Sequence, residues 1–509
     1  MQPTRPLIKA LPSGILAISL TAVYLFSMAP GLSWANYGAD GGDLIAAAAT
    51  GGVAHPSGYP VYLLLARLFQ FMPIGSLAFR TNLMSAFATT AAALLVYTLI
   101  TRTLSNSKAA HIWLAGLAAG FAYGLSPLTW SQAVITEVYA LHSLFVVSIL
   151  YLSVHPIPSR AAQWRIDLLL GLVFGLALGN HLTTLLLLPV IVVTTIHRKP
   201  TSAQGIHWIA NWRLDGRSLL RRSSWLGIGL LAYLTLPLRA LSKPPVNWGN
   251  PVNLTNLAWL VSGKLYQGQL FAETFSSLWS RVQTSASLLL QQFGIIGLAI
   301  GLIGLIVFFK HSPLYWSMLW ITVASAAFAI AYSTTDSFMY LIPAFLCFAI
   351  WLGIGLSELM ELSARRVRYI PPLIGLTLVV VLFVHAGNQW KRVDASHDQR
   401  AESFGENVLS IAPANAIVFA RGDQAIFSLW YFQYALGERP DLAIVVPDLL
   451  QFDWYQQTLH ATYPDLVLAI PFPFPETVIE ANPERPVCDV QFIQLADISC
   501  SPARDASQR

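Results

Sequence analysis

The chain reads as an all-α polytopic membrane protein of about 11 transmembrane helices, followed by a small α/β domain beyond the last of them. Three observations carry that reading. Hydrophobic residues fill 55% of the 509 positions and charged residues only 11%, against roughly 25% charged residues in a soluble protein. Apolar runs recur at the length of about 20 residues that crosses ~30 Å of hydrocarbon. Lys and Arg gather in alternate short loops, the bias that orients membrane helices. The 16 Trp and 18 Tyr suit belts at the two headgroup layers. The net charge of +5 is spread over loops between apolar runs and offers no nucleic-acid-binding surface.

Spans are expected near 11–30, 82–100, 110–126, 134–154, 167–179, 182–196, 225–240, 286–309, 314–333, 338–357 and 369–386. Arg5 and Lys9 precede the first run. That run is long enough to span and is followed by no clean small-residue cleavage site, so it reads as an uncleaved first helix. With the N-terminus in the cytoplasm, the inner loops receive Arg102 and Lys108, then Arg160 and Arg165. Next come Arg198, Lys199, Arg213, Arg217, Arg221 and Arg222, then Lys310, then Arg365, Arg366 and Arg368. The apolar run 167–196 is interrupted only by Asn180-His181. Basic clusters at both its ends predict two short crossings of roughly 21 Å each, at 1.5 Å per residue, with Asn180-His181 at the outer turn.

Residues 1–387 then form the membrane part, with a first outer loop at 31–81 and a long outer loop at 241–285. Residues 388–509 read as a soluble extracytoplasmic domain, with a strand at Ala416–Ala420, a helix at Ala425–Leu436 and a strand at Leu442–Val446. Of the three cysteines, Cys347 sits in an apolar run and reads as inert. Cys488 and Cys500 can pair if the tail faces an oxidising compartment.

On this topology the unusual polar residues collect on the outer side. Asp40 and Asp43 flank two glycines ahead of an Ala-rich run. A helix beginning near Asp43 would set both carboxylates beside its N-terminus, where the dipole favours negative charge. The plain alternative is an N-cap plus a loop aspartate. A carboxylate desolvated at a membrane rim acquires a raised pKa and can take a proton from an alcohol. His55 and Tyr59 lie in the turn Ala54-His55-Pro56-Ser57-Gly58-Tyr59-Pro60. There His55 either meets a phosphate or makes a structural hydrogen bond. No second histidine at ligand spacing accompanies it, which argues against a metal. Glu137 is a helix cap or a functional carboxylate, costly to bury unless paired. His181 serves its turn or a substrate. Arg239 and Lys264 either offset a lipid-linked phosphate by charge or are solvated cations. Trp248 stacks on a sugar or anchors at the interface. Tyr266 and Asp336 complete the set. No cofactor is called for, and a divalent metal stays open.

Several of these motifs resemble one family. The run Asp40-Gly41-Gly42-Asp43-Leu44-Ile45 with Gly52-Val53-Ala54-His55-Pro56-Ser57-Gly58-Tyr59-Pro60 is similar to the opening of the domain of unknown function 2723 family, which includes transmembrane protein O-mannosyltransferases. The likeness continues through Arg80-Thr81-Asn82-Leu83, Trp130-Ser131-Gln132-Ala133, Glu137-Val138-Tyr139-Ala140-Leu141 and Gly179-Asn180-His181-Leu182. It extends to Asn247-Trp248-Gly249-Asn250-Pro251, Ser262-Gly263-Lys264-Leu265-Tyr266, Asp336 before Tyr340-Leu341-Ile342-Pro343, Gly422-Asp423, Leu429-Trp430-Tyr431 and Arg439-Pro440-Asp441.

The resemblance implies a C-type membrane glycosyltransferase. Such an enzyme takes a sugar, mannose in the family's named members, from a polyprenyl-phosphate-linked donor at the extracytoplasmic face. The partners it implies are the lipid-linked sugar, a protein or glycan acceptor and membrane lipids. Asp40 falls at the position of the base, while Asp43 stands where the family usually carries glutamate. His55, Lys264 or Arg239 would meet the donor phosphate. The compact length leans towards a bacterial plasma membrane. The rival class is a polytopic transporter or flippase of lipid-linked or small polar substrates. That class usually shows midplane charges and internal repeats; here the spans are nearly free of charge and no repeat is visible.

Overall fold

Apolar stretches punctuated by prolines, glycines and capping residues fold into helices laid side by side. The computed structural model describes residues 6–105, 111–154, 159–198, 212–309, 313–365, 367, 369–468, 473–492 and 496–503. Helix α1 spans Pro6–Ser27, and the stretch read as the first outer loop folds into α2 (Gly41–Thr50) and α3 (Pro60–Gln70). The bundle continues with α4 (Leu77–Thr103), α5 (Ile112–Gly124), α6 (Pro127–Ala133), α7 (Tyr139–Ser153), α8 (Arg160–Leu178) and α9 (Leu188–Val193). A short antiparallel ladder pairs β1 (Ile196–Arg198) with β2 (Trp212–Leu214), ahead of α10 (Gly216–Leu230) and α11 (Thr235–Ala240). Then follow α12 (Leu254–Val261), α13 (Phe275–Val307), α14 (Pro313–Ala331), α15 (Ile342–Ala364) and α16 (Ile370–Val393). Side chains start several of these helices: Ser76, Asp215 and Asn253 each accept a backbone N–H of the first turn.

The pattern of spans differs from the expected eleven. Among the described residues, six helical stretches are long and apolar enough to cross a membrane, and seven if α5 and α6, bent by 68°, count as one. The remaining expected spans are shorter or broken, because polar residues and prolines interrupt them. The span expected at 134–154 begins as a helix only at Tyr139. The one expected at 225–240 is divided between α10 and α11, and the one expected at 286–309 starts earlier, at Phe275, and bends at Gly294. The run 167–196 breaks at Asn180-His181 as expected, but its second half is only Leu182–Val193.

Of the basic residues assigned to inner loops, Lys108, Lys199, Lys310, Arg366 and Arg368 lie outside the described residues. Arg221 and Arg222 are not free loop cations. They clasp the fully buried Asp167 of α8 at 2.7 and 2.9 Å, and Arg222 also donates to the carbonyl of Ile191.

Helix α15 is the bundle's axis, with its residues from Ile342 to Ser357 buried. It meets α13 backbone to backbone. A Cβ on Gly304 would lie 1.8 Å from the Trp351 carbonyl oxygen, and one on Gly355 would lie 2.1 Å from that of Ile300. Small residues permit such close approach where water supplies no drive for helices to associate.

Beyond Val393 the chain forms α17 (Arg400–Ile411), β3 (Ile417–Arg421), α18 (Asp423–Trp430), β4 (Ala443–Val445), α19 (Asp453–Thr462), α20 (Pro475–Ala481), β5 (Val487–Phe492) and β6 (Ala496–Ser501). The sheet order is β4-β3-β5-β6, with β3 parallel to both neighbours and β5 antiparallel to β6. Cys488 and Cys500 are joined by a disulfide across the last pair. The strands expected near 416–420 and 442–446 are both present, and the helix between them is regular only as far as Trp430.

The contact between α13 and α15 makes a direct prediction. Gly355→Val forces branched carbon into the Ile300 carbonyl and is expected to cost about 1–3 kcal/mol by overpacking. The readout is a lower Tm of the purified protein in detergent; an unchanged Tm would mean the two backbones do not touch.

Candidate active site

The segment that leads into α2 is clamped from the C-terminal domain. The Asp398 carboxylate accepts from the Ser33 hydroxyl at 2.8 Å and from the backbone N–H groups of Trp34 and Ala35 at 2.9 and 2.7 Å. Trp34 packs between Phe404 and Phe492. The chain then turns through Asn36 and Tyr37, both at positive φ, and enters α2 with Asp40 just before it and Asp43 in its first turn. Asp40 holds the N-cap position, yet its side chain accepts no capping hydrogen bond. Its carboxylate is left for other partners.

Asp43 is fully buried and uses both oxygens. Its Oδ2 accepts from the backbone N–H of His55 at 3.0 Å and from the His55 ring at Nδ1, 2.7 Å away. Its Oδ1 accepts from the Trp248 indole N–H at 3.0 Å. A carboxylate can only accept, so Nδ1 carries a proton. The second ring nitrogen, Nε2, is thereby aimed at Asp40, whose Oδ2 lies 3.6 Å away.

Burial works against the imidazolium of His55, but the Asp40 charge and the Asp43 hydrogen bond and charge outweigh it and lift its pKa to about 9. Asp40 moves to about 6, chiefly because protein surrounds it and desolvates the charged form. His55 opposes that rise, and Asp423, Asp336 and Asp43 reinforce it. The Asp40 side chain keeps 37% exposure, so its carboxylate can be reached from solvent.

Aromatic and polar side chains from other helix ends extend the site. His55 lies 4.9 Å from Tyr59, 6.4 Å from Trp248 and 6.2 Å from Phe427, ring centre to ring centre. Tyr59 neighbours His181, which in turn lies 5.7 Å from both Tyr139 and Tyr340. His181 accepts from the Thr183 backbone N–H and so starts the turn that follows it. Asp336 accepts from the Tyr139 hydroxyl at 3.4 Å. Glu137 is buried one residue before the Val138 N–H it accepts. Tyr266 is buried enough that desolvation raises its pKa, and Asp40, Asp423 and Asp43 add to the rise.

Two expected cations stand apart from this cluster. Arg239 donates to the Gly52 carbonyl, two residues past α2, and its neighbour Arg67 donates to that of Ala49 at the C-terminal end of that helix. That end lies about 15 Å from Asp40 at 1.5 Å per residue. Lys264 is exposed and forms no ion pair among the described residues. No group of three or more His, Cys, Asp or Glu side chains among the described residues is placed to hold a metal ion.

Asp423 is the member that sequence reasoning did not single out. It opens α18, and α18 presses on α2 so closely that a Cβ on Gly42 would lie 2.1 Å from the Phe427 carbonyl oxygen. Burial raises its pKa, His55 opposes, and Asp43 and Asp336 add to the rise. The Gly422-Asp423 step after a strand was legible locally, but nothing local places it beside residues nearly 400 positions earlier. His142, 5.0 Å from His181, was likewise unmarked.

The Asp43–His55 pairing has a measurable consequence. A raised histidine pKa stabilises the fold fully below the unfolded value near 6.5, and that stabilisation is lost as pH rises through about 9. Asp43→Asn removes a charge and a strong acceptor, so the His55 ring should titrate at lower pH. Histidine NMR of the labelled protein reads this directly, and an unmoved titration would show that Asp43 does not hold the imidazolium.

Comparison with known proteins bears on this geometry. Residues 40–204 match the family model described as the protein O-mannosyl-transferase TMEM260 N-terminal domain, and residues 401–478 match the TMEM260-associated domain 2. The protein O-mannosyl-transferase TMEM260 of Mus musculus is 29% identical over 468 residues, covering 86% of this chain and 62% of that protein. Its counterpart from Dictyostelium discoideum is 25% identical over 504 residues, covering 87% of this chain and 58% of that protein. The chain thus spans about three fifths of the length of these relatives.

Among solved structures, ArnT from Cupriavidus metallidurans bound to undecaprenyl phosphate superposes with a TM-score of 0.60 at 13% identity, covering 96% of this chain and 93% of that one. The same protein in the apo state gives 0.50 at 14% identity, covering 94% and 92%. This likeness shows a shared fold. In the helices around Asp40 and in the domain that closes over them, the chain resembles the membrane protein O-mannosyl-transferases of the TMEM260 family.

Proposed function

We propose that this chain is a membrane glycosyltransferase that moves a sugar from a polyprenyl-phosphate donor to a protein hydroxyl, with Asp40 as general base. The observation that carries the reading is the state of Asp40. Its carboxylate is desolvated, partly open and raised to about 6, so at neutral pH it is ionised yet basic enough to take a proton. The acceptor oxygen loses its proton to Asp40 and bonds to the anomeric carbon of the sugar. The bond from that carbon to the phosphate oxygen breaks, and the electron pair leaves with the polyprenyl phosphate.

The His55 imidazolium, fixed by Asp43, stands nearest to offset charge on that departing phosphate. Asp43, with both oxygens engaged, acts through His55 and Trp248 rather than on substrate. Glu137, His181, Tyr59, Tyr266, Trp248 and Asp336 line the donor and acceptor approaches. The names of the TMEM260 relatives support a protein acceptor and mannose, and the undecaprenyl phosphate bound to ArnT supports the carrier class.

We place the site on the extracytoplasmic side. The alternate-loop bias of Lys and Arg supports this orientation, and so does the disulfide between Cys488 and Cys500, since such bonds persist in oxidising compartments. The exposed Leu254→Cys and Arg217→Cys variants should then label from opposite faces of sealed vesicles. Cys347 is buried and contributes no background. Labelling of both from one face would overturn the orientation.

Activity is measured with the reconstituted chain, polyprenyl-phosphate mannose and a Ser/Thr peptide. Asp40→Asn should lose about 10²–10⁴-fold in rate, the usual contribution of a general base, while keeping its Tm. Near-normal transfer by this variant would remove Asp40 from the mechanism. The pH profile should rise through about 6 as Asp40 loses its proton and fall through about 9 as His55 loses its own. A profile flat between those values and beyond would contradict the pairing of base and imidazolium.

A further inference from the structure

Behind the strand-like segment that carries Trp248 lies a second polar cleft. It has a volume of about 360 Å³, within the range of ligand sites. The loop before α12 supplies Lys243, Asn247 and Asn250, and α19 supplies Gln457, Thr458 and His460. The two walls are bridged by a hydrogen bond, the Asn250 amide donating to Gln457 Oε1 at 3.0 Å.

One atom in the cleft has an unmet need. Asn247 is 5% exposed; its Nδ2 donates to Asn250 Oδ1 at 3.1 Å, while its Oδ1 has no hydrogen-bond partner among the described residues. A buried carbonyl left unpaired is costly, and its presence calls for an occupant bearing a donor. Lys243 on the rim is a donor and one ring nitrogen of His460 can donate, so they call for acceptors on the same occupant. A polypeptide backbone offers both, N–H and C=O in alternation. Apart from the His460 imidazole, no aromatic ring is among the described residues that line the cleft, so the C–H face of a sugar ring finds little flat surface there.

The cleft is also tied to the active site. The Val53 N–H donates to the Val246 carbonyl at 2.9 Å, and the Trp248 N–H donates to the Val53 carbonyl at 3.2 Å. Consecutive residues of an extended segment face opposite ways. Asn247 therefore turns to the cleft while Trp248 turns to Asp43, bonding it through the indole.

We infer that this cleft is the acceptor subsite and takes an extended polypeptide segment flanking the hydroxyl that reacts. The inference rests on the glycosyltransferase reading above for its role, and on the cleft chemistry for its ligand. Backbone recognition of this kind gives affinity with little demand on side chains, so the hydroxyl-bearing residue would be chosen at Asp40 and the flanking chain held behind it.

Two measurements test it on the full chain. Ala461 lines the cleft and is exposed. In Ala461→Cys, a Ser/Thr peptide of about twelve residues, ~40 Å when extended, should slow maleimide labelling severalfold. An oligosaccharide should not. Protection by the oligosaccharide alone, or by neither, overturns the proposal. In the transfer assay, Ala461→Trp should raise KM for the long peptide about tenfold, leaving kcat, the donor KM and the KM of a three-residue peptide unchanged. Equal effects on long and short peptides would also overturn it. Peptide protection of the introduced thiol without any transfer by the wild-type chain would sink the glycosyltransferase reading and leave the peptide cleft standing.

Discussion

A carboxylate withdrawn completely from water must have its oxygens occupied, and Asp43 meets that demand with three donors. Those donors come from the His55 backbone, the His55 ring and the Trp248 indole, so one side chain binds α2 to the following turn and to a loop 205 residues away. Everything chemically useful follows from this fixation. The His55 tautomer is chosen, its free nitrogen is aimed at Asp40, and the segment Val246–Trp248 is registered against Val53.

The membrane bundle contributes by where its helices stop. Glu137 lies between α6 and α7, His181 between α8 and α9, Asp336 between α14 and α15, and Asp40 and His55 between α1 and α3. Apolar runs cannot carry such residues into hydrocarbon at low cost, so the breaks gather them at one level. The close contact of α13 and α15 and the buried axis of α15 keep those ends in a fixed frame. The C-terminal domain then completes the site instead of merely covering it. Asp398 clamps the entry to α2, and α18 brings Phe427 and Asp423 against it at the one position, Gly42, where a side chain would not fit.

Charge is distributed with the same economy. Arg67 meets a carbonyl in the last turn of α2, where the helix dipole is negative, and Asp40 and Asp43 meet its positive end. The helix is thus stabilised at both termini by the residues that flank it. Arg239, attractive in sequence as a phosphate partner, is engaged elsewhere. The cation best placed beside Asp40 is the histidine. Its positive charge is favoured by the Asp40, Asp43 and Glu137 carboxylates, which outweigh the burial that opposes it.

The sequence by itself determined the membrane class, the break at Asn180-His181 and the strands near 417 and 443. Those are properties of composition and period, which short windows carry. Span lengths were read less well, because an apolar run does not reveal where a proline or a buried polar residue will end its helix, as at Tyr139 and between α10 and α11. Only the tertiary structure decided that Asp43 is consumed by His55 and Trp248, that Arg239 holds the Gly52 carbonyl, that Asp167 takes Arg221 and Arg222, and that Asp423 joins Asp40. Each of these is a pairing across a long stretch of chain, and a pairing is chosen by which groups must be satisfied once water has been excluded, a condition that no local pattern encodes.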